Sequence, residues 1–251
     1  MADKIWIQGY GTVSVAGWAN PTVDGGYLNA ASSLFNGTTS KVDFGANFRP
    51  AKTDPWTVSF WLKVDNVLAS AFVHLIGNYN TDTSKGWVVF LRRDSLLGSN
   101  QPTINLSWGG TGSLVIEAHE FILSSNTWYH VCVLSNGGTQ ATSKIVINGV
   151  DRATTAYTDG LTAAAYDSNV TIGIAPNGVN PLAGKWDEQV FAASTALSVA
   201  DCATLYNSGR PSTPTGVTGV TNWHRMGTDF VDQIGAINGS GTDVTASSDM
   251  P

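Results

Sequence analysis

Along residues 56–64, WTVSFWLKV, the apolar Trp56, Val58, Phe60, Leu62 and Val64 alternate with Thr57, Ser59, Trp61 and Lys63. Successive side chains of an extended chain point to opposite faces, so this run predicts a strand with one face in a core. Shorter runs of the same kind occupy residues 5–7, 12–15, 72–77, 86–92, 103–108, 114–118, 128–134, 144–148 and 170–174, separated by Gly, Asn, Asp and Ser clusters that read as turns. In AGKWDEQVFAASTALSVADCATLYNSGRP, residues 183–211, the first half alternates Trp186, Glu188 and Val190 with Asp187, Gln189 and Phe191, which is a strand pattern. The second half switches period. Ser198 has Asp201 three residues on, Val199, Cys202, Leu205 and Tyr206 follow at helical spacing, and Gly209 and Pro211 stop the pattern, so a short capped helix is expected. Many strands with one helix imply an all-β fold, a two-sheet antiparallel sandwich of jelly-roll type, with the helix capping one edge or end.

Composition narrows the class. A chain of 251 residues can form one large β domain and is long enough to bury a sizeable core. Charged residues make up 13%, with 27 Gly and 9 Trp, as in a turn-rich β protein whose outer faces are polar but uncharged. A net charge of −6 argues against nucleic acid and anionic membrane surfaces as partners. No apolar run is long enough to span a bilayer, and MADKIWIQGYG lacks the basic and apolar regions of an export signal. A chain that stays in a reducing compartment keeps its thiols, so Cys132, in a strand, and Cys202, on the buried helix stripe, are expected to be free. Four Asn-x-Ser/Thr triplets, at Asn36, Asn105, Asn169 and Asn238, are then expected to remain unmodified.

Several motifs occur together in one order: SLFNGTTSKVDFGANF at residues 33–48, WTVSFWLK at 56–63, Trp128-Tyr129-His130-Val131, Ile147-Asn148-Gly149, Val170-Thr171-Ile172-Gly173, and Gly184, Asp187, Glu188, Ala196, Leu197, Ser198, Leu205, Tyr206, Asn207 and Gly209. Together they resemble laminin-G-like domains of the concanavalin A-like lectin/glucanase superfamily, over roughly residues 33–210. On this basis residues 1–30 are expected to be an N-terminal arm or edge strand, 31–211 the sandwich, and 212–251 a segment that completes a sheet or contacts a neighbour. The tail, NWHRMGTDFVDQIGAINGSGTDV, resembles what usually precedes the first family motif, an arrangement that a permuted sandwich with adjacent termini would allow.

The superfamily includes glucanases, whose retaining members need two carboxyls about 5 Å apart on one face. Glu117, Glu120 and Glu188 are the only glutamates. Glu117 and Glu120 are three apart, and Asp187 and Glu188 are adjacent, so regular alternation puts each pair on opposite faces and disfavours hydrolysis. His74, His119, His130 and His224 form no nucleophile–base set or zinc spacing. The resemblance implies a calcium ion at a sandwich rim, for which Asn36 and Asp187 occupy matching positions; Asn in place of the usual Asp lowers the ligand charge, and the alternative is that both serve turns. Trp61, on the polar face of its strand, and Tyr79, Trp87 and Trp108, beside Gly/Asn/Asp loops, are the candidates for stacking on a sugar, against the alternative that Trp residues mostly fill the core.

A recognition-type fold without an export signal is reconciled by a protein made in a bacterial cytoplasm and released by lysis. The expectation is therefore a non-enzymatic virion protein of decoration or fibre type, a homo-oligomer attached to a capsid or tail protein, with a host glycan as a further partner. The alternatives are a secreted carbohydrate-binding module or adhesin fragment, located outside the cell, and a degenerate glycosidase.

Overall fold

The computed structural model describes residues 29–94, 101–109, 114–118, 121–159 and 167–251 and, among the first 28 residues, two short strands. These are β1 (Lys4–Trp6) and β2 (Thr12–Ser14), which pair with each other antiparallel. Of the expected arm, residues 1–30, only these strands, Asn29 and Ala30 lie among the described residues; His119 and Glu120 lie outside them. In chain order the further elements are β3 (Ser32–Asn36), β4 (Lys41–Asp43), β5 (Pro55–Val64), β6 (Phe72–Gly77), β7 (Trp87–Asp94), β8 (Gln101–Trp108), β9 (Leu114–Glu117) and β10 (Trp128–Asn136). They continue with β11 (Ser143–Ile147), β12 (Val150–Arg152), β13 (Thr155–Asp159), β14 (Thr171–Ile172), β15 (Ala183–Ala192), α1 (Val199–Tyr206), β16 (Asn222–Met226), β17 (Asp229–Asp232), β18 (Ser240–Thr242) and β19 (Thr245–Ser247).

Two antiparallel sheets face each other. One runs β12-β11-β10-β5-β15-β16-β17, with β3 also on β15 and β19 on β3; the other runs β13-β9-β8-β7-β6-β14-β4-β18. The fold is therefore the expected all-β jelly-roll sandwich with one short helix. Its core comes from one parity of each strand: Trp56, Val58, Phe60, Leu62 and Val64 of β5 meet Trp87, Val89 and Leu91 of β7 and Ile104, Leu106 and Trp108 of β8. Trp186 stacks on Phe60 with ring centroids 3.9 Å apart, and burying such rings supplies much of the cohesion of the two layers. Gly77, at φ +148°, lets β6 and β7 close up, since a Cβ there would lie 2.2 Å from the Trp87 carbonyl oxygen.

The second parity of β5 is covered as well. Thr57, Ser59 and Trp61 are all buried. Over them lies a separate apolar cluster in which Cys132, Leu134 and Val190 meet Leu197, Cys202 and Leu205 from the α1 segment. The helix begins where the sequence places it: Ser198 Oγ accepts from Asp201 N, Asp201 Oδ2 accepts from Ser198 N at 3.0 Å, and Asn207 closes the other end in the left-handed region. Cys132 and Cys202, expected to be free, are joined in a disulfide; among the described residues no cysteine is free. They are 70 residues apart in sequence, but β10 and α1 bring their Cα atoms to 6.1 Å, within disulfide reach.

The C-terminal tail pairs within its own chain and enters both sheets: β16 lies on β15, β18 on β4 and β19 on β3. Two aspartates fasten it. Asp232 accepts hydrogen bonds from the amides of Trp223, Ile234, Gly235 and Ile237 and from Asn222 Nδ2. Burial pushes its pKa up, but these donors outweigh it and hold the carboxyl down at about 2. Asp249 binds Lys63 Nζ at 2.8 Å, Trp128 Nε1 at 3.0 Å and Lys185 Nζ at 3.3 Å.

Candidate functional site

On the outer face of the nine-stranded sheet, Asp187, Glu188 and His130 come together, and all three are buried. Across β15 and β5, Asp187 stands opposite Trp61 and Val190 opposite Ser59, so two residues, Glu188 and Gln189, share the space opposite Phe60. This is a β-bulge, with Glu188 at φ +50°. Its effect on side chains is concrete. Trp186 Nε1 donates to Gln189 Oε1 at 3.1 Å on the core side, so the two residues between them both turn outward. The expectation that Asp187 and Glu188 point to opposite faces is therefore corrected: regular alternation fails at the inserted residue.

Both carboxyls are buried. Asp187 accepts from Asn29 Nδ2 at 2.7 Å and from the amide of Glu188 at 3.0 Å, and Glu188 accepts from Trp223 Nε1 at 2.6 Å. Burial dominates these donors and the nearby Arg225 charge, and raises each pKa to about 8. Beside them Ser59 Oγ and His130 Nε2 lie 2.8 Å apart, a pairing that no sequence motif announced. Burial lowers the His130 pKa to about 3, its Nδ1 has no hydrogen-bond partner among the described residues, and Trp61 and Tyr206 cover the ring at 5.2 and 6.0 Å. A serine and a histidine without an acidic orienter or substrate access make a packed hydrogen bond rather than a nucleophile and base.

The outer face of the eight-stranded sheet is open. Phe72, 42% exposed, stacks on Phe90 at 5.7 Å, and the Arg92 guanidinium lies 5.3 Å over the Phe72 ring. With Tyr79, His74, Ser107 and Asn180 they line a groove of about 330 Å³. Tyr79 is half-buried because its ring packs over Gly109, where a Cβ would lie 2.5 Å from Tyr79 Cε2. His74 donates from Nε2 to the Thr171 carbonyl at 3.2 Å; burial outweighs this and the Gly77 contact and lowers its pKa to about 4, so it is neutral near pH 7. The described groove lining holds no carboxyl group. On the same sheet face, outside the groove lining, Glu117 is fully buried and accepts from Thr103 Oγ1 at 2.8 Å, and Asp43 on β4 accepts from Asn169 Nδ2 at 3.1 Å. Aromatic faces flanked by hydroxyl, amide and guanidinium donors suit a ligand with an apolar ring face and hydroxyl edges.

Of the four aromatic candidates, Tyr79 alone reaches this groove. Trp87 and Trp108 are 1% and 0% exposed, packed around Trp56 in the core, and Trp61 is buried under α1. A ring enclosed on both faces offers no surface to a sugar. The calcium candidates are not brought together. Asn36 pairs with Ala183, four residues from Asp187, or roughly 13 Å along a strand. Asn36 Oδ1 accepts from the amides of Thr38, Thr39 and Ser40, as a turn residue does. No group of three or more His, Cys, Asp or Glu residues suited to a metal occurs among the described residues. Phe72 and Phe90, absent from the sequence candidates, had a signal available: Val88, Phe90 and Arg92 share the parity opposite to Trp87, Val89 and Leu91.

No curated protein matches the chain. Among solved structures, a heptameric SAP-like pentraxin from Limulus polyphemus superposes with a TM-score of 0.59 at 14% identity, over 87% of this chain and 95% of that one. A candidate carbohydrate-binding protein from Bacteroides ovatus gives 0.58 at 18%, over 87% and 60%. Domain 4 of AbnA, an extracellular arabinanase from Geobacillus stearothermophilus in complex with arabinotriose, gives 0.50 at 16%, over 70% and 76%. At these identities the likeness is one of fold. Residues 36–203 match the laminin G model of the concanavalin A-like lectin/glucanases superfamily, two thirds of the chain, and the protein belongs to that family.

Proposed function

We propose that the protein is a non-enzymatic glycan-recognition module that holds a saccharide in the groove between Phe72, Tyr79, Phe90 and Arg92. The observation that carries this reading is an exposed aromatic pair with adjoining hydrogen-bonding side chains on one open sheet face, in a groove whose described lining has no carboxyl group. Such a lining can stack and hydrogen-bond a sugar, and it lacks the carboxyl pair that glycoside hydrolysis requires. The solved structures of similar fold include ones named for carbohydrate binding or determined with an oligosaccharide, which supports the same ligand class. A glycan array identifies the ligand, and titration then tests the site. Phe72→Ala and Tyr79→Ala should each weaken binding about tenfold, with the melting temperature nearly unchanged. Unchanged affinity in both would overturn the assignment.

Within this reading we place the module on a virion, as a decoration or fibre component bound to a capsid or tail protein and acting as a symmetric homo-oligomer. A recognition sandwich with a groove suited to holding and not to cutting supports that role. The second reading, a secreted carbohydrate-binding module, is favoured by the Cys132–Cys202 disulfide, since such bonds persist in oxidising surroundings. Light scattering and co-sedimentation separate the two. A closed oligomer that co-sediments with capsids supports the virion role, and a monomer that does not supports the secreted module.

A further inference from the structure

The lining of the groove is spread over more sheet than one sugar ring covers. Val88 of β7 stands opposite Ser107 of β8, and Ser107 opposite Val115 of β9, so three groove residues form a row straight across three strands. In the other direction Phe90 of β7 stands opposite His74 of β6, and the His74 amide donates to the Asn180 carbonyl at 2.9 Å, which puts Asn180 one strand position beyond β6. Neighbouring strands lie about 4.8 Å apart, so the four steps from Val115 to Asn180 cover roughly 19 Å. The volume of about 330 Å³ falls within the range of sites for drug-sized ligands, more than a single pyranose fills.

The chemistry changes along this length. The Phe72 and Phe90 rings stand on β6 and β7. Ser107 brings a hydroxyl one strand past β7, and Val115 an apolar side chain two strands past it; both are half-buried and line the groove. A sugar stacked on Phe72 cannot also touch Val115, because three strand spacings, roughly 14 Å, separate β6 from β9. The side wall is held in advance: Asn177 Nδ2 donates to Thr81 Oγ1 at 2.5 Å and to Asp82 Oδ1 at 3.1 Å, which anchors the β6–β7 turn that carries Tyr79. A wall already in place lowers the ordering cost of binding a flexible chain.

We infer that the groove takes a linear oligosaccharide of at least three rings, laid across β6, β7, β8 and β9, with one ring against Phe72 and the third over Ser107 and Val115. This length and direction rest on the groove being the saccharide site. Each ring meets a different part of the lining, so affinity accumulates along the chain and no single sugar gathers it all.

The test measures calorimetric binding of the full chain to cello-, manno-, xylo- and arabino-oligosaccharides of one to five rings. Within a series that binds, affinity should rise about tenfold or more from one ring to three, and less than about twofold from three to five. Val115→Glu, which fills the β9 end, should reduce three-ring affinity to that of the two-ring member and leave the latter unchanged. Ser107→Ala, which removes only a hydroxyl, should weaken three-ring binding about threefold and leave one-ring binding unchanged. A single ring that binds as tightly as three, or three-ring binding that neither variant alters, would overturn the extended ligand; if Tyr79→Ala still weakens that binding, the groove stands as the saccharide site. No saturable binding by any of the four series up to about 10 mM would overturn the linear ligand even where a branched glycan binds. Three-ring binding untouched by both Phe72→Ala and Tyr79→Ala would overturn the groove as the site, and the ligand's placement with it.

Discussion

The two outer faces of this sandwich are built from the same alternating strands and have opposite fates. On the nine-stranded sheet, α1, the Cys132–Cys202 disulfide and the tail close over Ser59, Trp61, His130, Asp187 and Glu188, so these polar and ionisable side chains are enclosed. On the eight-stranded sheet, Phe72 remains 42% exposed beside Phe90, Tyr79 and Arg92. A polar group under a cover shows itself in stability and its pH dependence, whereas an aromatic group on an open face shows itself in binding. Substitutions can therefore sort the faces by which observable they move.

The buried carboxyls should give the largest response. Their folded-state pKa values are raised from 3.8 and 4.5 to about 8, so the folded protein holds two protons that the unfolded chain releases. That contribution to stability is complete below about pH 4 and is lost as pH rises to about 8, beyond which it stays level. The loss is on the order of 5 kcal/mol per group. Denaturant unfolding between pH 5 and 8 should show stability falling, and Asp187→Asn with Glu188→Gln should flatten the fall. A wild-type curve that is flat or rises across this window would mean that the carboxyls are not held protonated beneath the cover.

The same pair shows where sequence reading reaches its limit. The alternation of WTVSFWLKV fixes the face that β5 gives to the core, and Ser198 with Asp201 fixes the start of α1, because both patterns are local. The bulge at Glu188 is set by the register of β15 against β5, which a single strand does not display. Cys132 and Cys202 approach through tertiary packing across 70 residues, again a non-local property. Trp87 and Trp108 illustrate a different gap: their Gly and Asn neighbours suggest loops, but each shares parity with core residues, Trp87 with Val89 and Leu91, Trp108 with Ile104 and Leu106. Extending the alternation to the strand ends would have placed them inside and Phe90 outside.

Removing the disulfide tests the cover itself. Cross-linking residues 70 apart reduces the entropy of the unfolded chain by an amount worth about 4 kcal/mol at room temperature. Cys132→Ala with Cys202→Ala should lower unfolding stability by about that much and loosen α1, seen as faster amide exchange in residues 199–206. Saccharide affinity at the groove should change less than twofold, because no groove residue belongs to the covered cluster. A matching loss of affinity would mean that the two faces are coupled through the core.

Ser198→Ala acts on the same cover at a single hydrogen-bonded end. Ser198 Oγ accepts from the Asp201 amide at 3.1 Å, and Asp201 Oδ2 takes the Ser198 amide in return, so the substitution leaves one helix amide unsatisfied and removes the hydroxyl that Asp201 also binds. The expected cost is about 1 kcal/mol, measured by urea unfolding. The effect is small because the helix is also held by Leu205, by the Cys202 cross-link and by the Leu197 amide, which donates to Thr57 Oγ1 at 2.8 Å. In the Cys132→Ala, Cys202→Ala background one of those restraints is absent. If cap and cross-link stabilise one cooperative unit, the cap's cost there should stay near 1 kcal/mol; if the helix instead opens on its own once the cross-link is gone, global unfolding should no longer register the cap at all.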